Sequence, residues 1–268
     1  MNERRATSLP IKPASDLTAL EWAKVEKAAQ DAGFDINPVQ EGGWLVFRST
    51  LFPGQIGVAV KSPGAYMVGM SDTRWGAKTA ADCGHSASLQ EGPWPALVEE
   101  VCEFEALHRL LARAAALGRV MGETPVNAFR ARSTGLPAST EAERLVVQRV
   151  GQDIFRQALI EYWQGRCAVS GLDVVPLLRA SHIKPWAECE ADADRLNVFN
   201  GLLLAPHLDA LFDGGWITFQ ASGDVQISTS LQEQQRTLLG LTGAEQVKGL
   251  SEHHEKYLSW HRAHCFRH

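Results

Sequence analysis

The sequence predicts an α+β protein built from two domains, and three observations carry that reading. Helical spacing of apolar residues brackets a group of short strand-like runs in about the first hundred residues. A stretch without periodicity, GRVMGETPVNAFRARSTGLPAS, then breaks the pattern, and beyond it strand-like runs and helices alternate again. We place a small α+β domain at residues 1–118, a linker at 119–139 and a second α+β domain at 140–268.

Taken in order, Leu17, Leu20, Trp22, Ala23, Val25 and Ala28 predict a helix over residues 14–30, capped by Ser15 or Asp16 and ended by Gly33. Three strand-like runs follow, Trp44 to Arg48, Ile56 to Val60 and Tyr66 to Met70, separated by turn-forming LFPGQ and KSPGA; they read as a three-stranded antiparallel meander. Residues 71–93 are polar and small, and predict a loop or a short irregular helix. Leu97, Val98, Val101, Phe104, Leu107, Leu110 and Leu111 predict one helix over residues 95–117. After the linker, Thr140 opens a further helix in which Leu145, Val146, Val150, Ile154, Phe155, Leu159 and Tyr162 form the apolar side.

Composition excludes several classes. Hydrophobic residues make up 45% and charged residues 21% of 268, which rules out disorder and low complexity. With 26 Lys+Arg against 31 Asp+Glu the net charge is -5, so polyanions are not held by bulk charge and any nucleic-acid contact is local. No segment approaches the roughly 18 apolar residues of a membrane span, and the N-terminus has no apolar run after its basic residues. The five cysteines, Cys83, Cys102, Cys167, Cys189 and Cys265, are widely spaced without a Cys-x-x-Cys pair and read as reduced thiols. The expected location is the cytoplasm, with no membrane partner.

The chemistry is concentrated in residues 166–219, RCAVSGLDVVPLLRASHIKPWAECEADADRLNVFNGLLLAPHLDALFDGGWITF. A strand-like run, Val174 to Ala180, delivers Ser181 and His182 into Pro185 and Trp186; a polar acidic loop follows; Asn200-Gly201 opens an apolar run; and Pro206 starts a short helix. Asp209 and Asp213 lie four apart, which puts both carboxylates on one helix face, where they repel unless a cation lies between them. The run of motifs CAVSG, SHIKPW, NGLLL and FDGG, in that order, with QRVGQDIFR before and YLSWHRAHCF after, resembles the HNH endonucleases over about residues 143–266.

The resemblance implies a ββα-metal domain with flanking helices and the hydrolysis of DNA phosphodiesters. It implies His182 as the general base, because a neutral imidazole can take a proton from water at cellular pH. Asn200 would hold the loop that carries it. Asp209 and Asp213 fall nine and thirteen residues after Asn200, where related nucleases carry their last histidine and a further ligand, so they are the expected metal ligands, with the Ser181 hydroxyl or a water where many relatives have Asp or His. Oxygen donors of this kind favour Mg²⁺ or Mn²⁺, and the lack of a partner near Cys167 does not support structural zinc. Arg149, Arg156, Arg179, Lys184 and, second in rank, His207 are candidate phosphate contacts.

Plainer roles stand beside these. Asp209 suits the first turn of any helix, and the acidic loop Glu188, Glu190, Asp192 and Asp194 reads as a solvated insert. The series His253, His254, His261, His264, Cys265 and His268 reads as a packed helix end. Trp44, Trp75 and Trp94 could stack on bases, with core packing the ordinary alternative. The main expectation is a DNA endonuclease in restriction or anti-phage defence, the N-terminal domain recognising or regulating. A nuclease effector switched on by a ligand or protein at that domain is the related reading, and an inactive HNH scaffold that binds DNA is the alternative from another class. A homodimer stays open as a partner.

Overall fold

A computed structural model describes residues 11–13, 16–135 and 140–268, and of residues 143 and 144 the backbone alone. The molecule is α+β, and it divides into two compact units, Met1–Arg119 and Val120–His268.

In the first unit, helix α1 (Ala19–Ala32) is opened by Thr18, whose hydroxyl accepts from the Glu21 N–H while the Glu21 carboxylate accepts from the Thr18 N–H. This reciprocal pair corrects the expected cap: the chain through Asp16 precedes the helix, and Ser15 lies outside the described residues. Gly33 ends α1 in the left-handed region, with φ 103°. The meander is larger than expected. Strands β1 (Ile36–Glu41), β2 (Trp44–Arg48), β3 (Gln55–Ser62), β4 (Ala65–Met70), β5 (Ser88–Leu89) and β6 (Ala96–Cys102) form one antiparallel sheet in the order β1-β2-β3-β4-β6-β5. Helix α2 (Thr73–Asp82), capped by the Asp72 carboxylate, takes the second of the two readings of that stretch, a loop or a short irregular helix, and is a regular helix of 10 residues.

The helix expected over residues 95–117 is in fact β6, a turn, and α3 (Phe104–Val120). Tyr66 pairs with Val101 but Val68 with Val98, so the register slips by one residue between them. That bulge puts apolar residues three apart on one face of a strand, which imitates helical spacing. Glu103, at φ 72°, makes the break. The tryptophans are packing residues here. The Trp75 indole N–H donates to the Ala114 carbonyl at 2.6 Å, and Trp94 is buried over Gly57 and Gly69, where an added Cβ would come within 2.4 and 2.5 Å of its ring. Trp44 tilts against Trp94 at 5.5 Å.

In the second unit, α4 (Thr124–Ser133) occupies part of the stretch read as linker, and its Phe129 ring meets Trp186 edge-on at 6.5 Å. Helix α5 (Glu141–Tyr162) follows. Its buried side begins later than its pattern implied: Leu145 and Val146 are about half exposed, whereas Phe155, Ala158, Leu159 and Tyr162 are buried. The single strand expected over residues 174–180 is a 3-10 turn at Val175–Leu177, with Pro176 in it, followed by β7 (Arg179–His182). Beyond the loop and its short helix α6 (Asp192–Arg195), β8 (Gly201–Leu204) returns antiparallel to β7, with Ser181 opposite Leu202 and His182 opposite Gly201. Helix α7 (Pro206–Asp213) closes the ββα arrangement, with Leu208, Leu211 and Phe212 buried. The hairpin β9 (Ile217–Phe219) and β10 (Val225–Ile227), α8 (Glu233–Leu238) and α9 (Glu252–His264) complete the unit.

Candidate functional site

The site is built on the β7–β8 hairpin. Successive side chains of a strand alternate faces, so Ser181 reaches α7 while His182 turns to α5. The imidazole lies flat on the Phe155 ring, 3.8 Å between centroids and 14° from parallel, and Trp186 meets its edge at 5.9 Å. Trp186 fits because position 151 of α5 is glycine: a Cβ there would come within 2.3 Å of the indole. His182 Nε2 lies 2.9 Å from the Arg195 carbonyl oxygen. A carbonyl only accepts, so Nε2 carries the proton and Nδ1 is left with its lone pair. Burial lowers the ring to about 4, against which the Arg195 bond pulls the other way, and the ring is neutral at pH 7.

The loop from Lys184 to Asn197 is braced by two side chains. Asn200 is fully buried; its Oδ1 accepts from the Lys184 N–H at 2.8 Å, and its Nδ2 donates to the carbonyls of Lys184 and Asp194, both at 3.1 Å, and contacts Cys189 Sγ at 3.4 Å. The second brace, Arg195, was missed from the sequence. Its Nε donates to the Trp186 carbonyl at 3.3 Å, its Nη1 to Asp192 at 3.0 Å and its Nη2 to the Cys189 carbonyl. A signal did exist, since Arg195 is the one basic residue between Lys184 and His207, set among four acids. Of the acids, Glu188 and Glu190 are exposed as expected, whereas Asp192 and Asp194 are partly covered. Asp194 accepts from the Tyr257 hydroxyl at 2.7 Å and from Lys256 at 2.9 Å, both on α9, and these bonds hold its carboxyl below the usual range.

On α7, Asp213 accepts from the Ser181 hydroxyl at 3.1 Å, and the same hydroxyl lies near enough to Asp209 to draw its carboxyl downward. Partial burial raises both carboxyls, and the charge of Asp209 raises Asp213 further. Among the described residues no cluster of three or more His, Cys, Asp or Glu is gathered for a metal. Two partly buried carboxylates and a hydroxyl are oxygen donors of the kind a hard divalent cation takes. By its chemistry, that trio fits such an ion.

The expected phosphate contacts divide. Arg179, exposed and two residues before Ser181 on the same face of β7, is close enough to draw Asp209 downward. Arg149 is exposed on α5, and Lys184 holds its ammonium 5.6 Å over the Trp260 ring. His207 is exposed in the first turn of α7, beside an open depression shared with Ser170 and Lys248. Arg156 is committed elsewhere, its guanidinium donating to the carbonyls of Leu178 at 2.6 Å and Val175 at 3.1 Å. It ties α5 to the turn before β7, because those carbonyls have no ladder to join.

The C-terminal histidines do not act together. His261 is buried, stacked on Phe212 at 4.0 Å and bonded to Thr218 and the Phe212 carbonyl, while His264 is exposed and bonded to Trp260. His254 is fully buried and closes the first turn of α9 with Ser251. Cys167 is buried, its sulfur accepting from the N–H groups of Ser170 and Ala205.

No helix among the described residues is long and apolar enough to cross a membrane. A comparison with curated proteins finds no match. The family model described as HNH endonuclease matches residues 167–220, the strip from the Cys167 turn through the β7–β8 hairpin and α7 to β9, and over that strip the chain is similar to HNH endonucleases.

Proposed function

We propose that the protein is a metal-dependent endonuclease that hydrolyses DNA phosphodiester bonds with His182 as general base. The observation that carries this reading is the state of His182: neutral, flat against Phe155 and bonded through Nε2, so that Nδ1 is free to accept a proton from water. Asp209 and Asp213, with Ser181, would hold Mg²⁺ or Mn²⁺, which supplies Lewis-acid polarisation of the scissile phosphate and charge for the leaving oxygen. Asn200 keeps the loop, and through it the base, in place. Arg179, with Arg149, Lys184 and His207, would position the backbone of the DNA. Substrate selection is assigned to the unit Met1–Arg119, and a reader joined to a nuclease suits restriction or anti-phage defence in the cytoplasm.

Plasmid cleavage tests this directly. Activity that requires Mg²⁺ or Mn²⁺ and falls by about 10²- to 10⁴-fold in His182→Ala, with DNA affinity kept, is the expected result. Cleavage at full rate by that variant would remove His182 from the mechanism. DNA binding without cleavage in any metal would turn the reading to an inactive scaffold.

A further inference from the structure

We infer that Arg195 is the positioning residue for His182: its side chain folds the loop so that its own carbonyl oxygen meets Nε2 and fixes which imidazole nitrogen is free. The inference rests on the nuclease reading only where it concerns turnover. Among the described residues His182 has a single polar contact, the Arg195 carbonyl at 2.9 Å. That carbonyl sits at the end of α6, a helix of four residues, too short to define a backbone position by itself. What defines it is the guanidinium of the same residue. Three of its nitrogens reach three separate points of the loop, the carbonyls of Trp186 and Cys189 and the Asp192 carboxylate, and its plane lies 5.7 Å from the centre of the Trp186 ring.

Trp186 in turn stands at the edge of the imidazole, so one side chain sets both the ring's hydrogen-bond partner and one of its walls. A fork of donors in fixed geometry is needed for this, which lysine lacks. Asn200 supports the same loop from beneath by bonding the Asp194 carbonyl, the residue before, and leaves the Arg195 carbonyl to the histidine.

Imidazole NMR on the full chain, without metal, tests the geometry apart from the chemistry. A ring N–H bonded to a carbonyl and shielded by Phe155 exchanges slowly and gives a resolved proton correlated with His182 Nε2. We expect that signal in the unmodified protein and its loss in Arg195→Lys and Arg195→Ala. Asp192→Ala, which leaves both carbonyl bonds of the guanidinium in place, keeps it. In plasmid cleavage the two Arg195 variants fall by about 10- to 100-fold in turnover at unchanged DNA affinity. Persistence of the proton signal in folded Arg195→Ala overturns the inference, as does its loss with cleavage unaffected. Loss of the signal in a protein that never cleaves, whatever the variant, upholds the positioning role and overturns the nuclease reading alone.

Discussion

At the scale of single residues, the candidate site is held by atoms whose partners are mostly backbone. Asn200 satisfies one N–H and two carbonyls of a loop from a fully buried position. Asn200→Ala therefore leaves the buried Lys184 N–H without its acceptor and removes one donor from each of the two carbonyls, which keep weaker contacts to Cys189 and to Asn197; it lowers stability by about 2 kcal/mol, read as a drop in the urea midpoint, with cleavage reduced alongside. The buried histidines set a pH window. Burial holds His261 and His182 at about 4, against 6.5 in the unfolded chain. As pH falls from 6.5 to 4 the unfolded chain takes up protons that the folded one refuses, so stability is full above this window and is lost within it, by at most about 1.4 kcal/mol per pH unit for each ring. A urea midpoint that declines over this range, and declines less in His261→Gln, is the expected outcome. As candidates, His182 and Asn200 stood out in the sequence through the resemblance to HNH endonucleases, and the carboxylate pair through its four-residue spacing. Arg195 and Phe155 did not, because a side chain that acts through a carbonyl or a ring face leaves no pattern of types.

At the scale of elements, α7 carries a cost that its sequence already announced. Two carboxylates lie one turn apart with one hydroxyl bonded to the second of them, and their carboxyls are raised by partial burial, with Asp209 acting on Asp213 as well. Raised carboxyls stabilise the fold when protonated, and that stability is lost as pH rises through their folded values, so at pH 7 the ionised pair opposes folding. Asp213→Asn is expected to raise the thermal midpoint in EDTA, and to lose the further rise that Mg²⁺ or Mn²⁺ gives the unmodified protein; a saturating ion at a hundred times its Kd contributes about 2.7 kcal/mol. A lower midpoint in EDTA would show that repulsion is not what dominates there. Elements were legible where a pattern had one reading, as in the hairpin and α7. They were misread where geometry altered the period. The bulge opposite Tyr66 made β6 look helical, Pro176 turned half of an expected strand into a 3-10 turn, and the short helix α4 had too little apolar periodicity to stand out from the stretch read as linker.

At the scale of the whole molecule, the chain is two compact units, and the family match covers residues 167–220 of the second. A break in periodicity after residue 118 was the sequence's only sign of that division, and nothing in the first unit's residue types names a ligand, since its conspicuous tryptophans are spent on packing. A fragment of residues 120–268 is expected to unfold cooperatively in urea and to cleave DNA with altered selectivity. A fragment of residues 167–220 is expected to show no cooperative transition, and a sharp one would contradict the packing described for α5 and α9. The reason lies in the ring against which His182 rests. Phe155 stands outside the matched strip, as do Tyr257 and Lys256, which anchor Asp194 from the far end of the chain. The stretch that can be transferred by likeness is thus shorter than the stretch that can be transferred by transplantation. Grafted into a new host without its two helices, the motif would keep every letter of its signature and lose the surface that gives its histidine a direction.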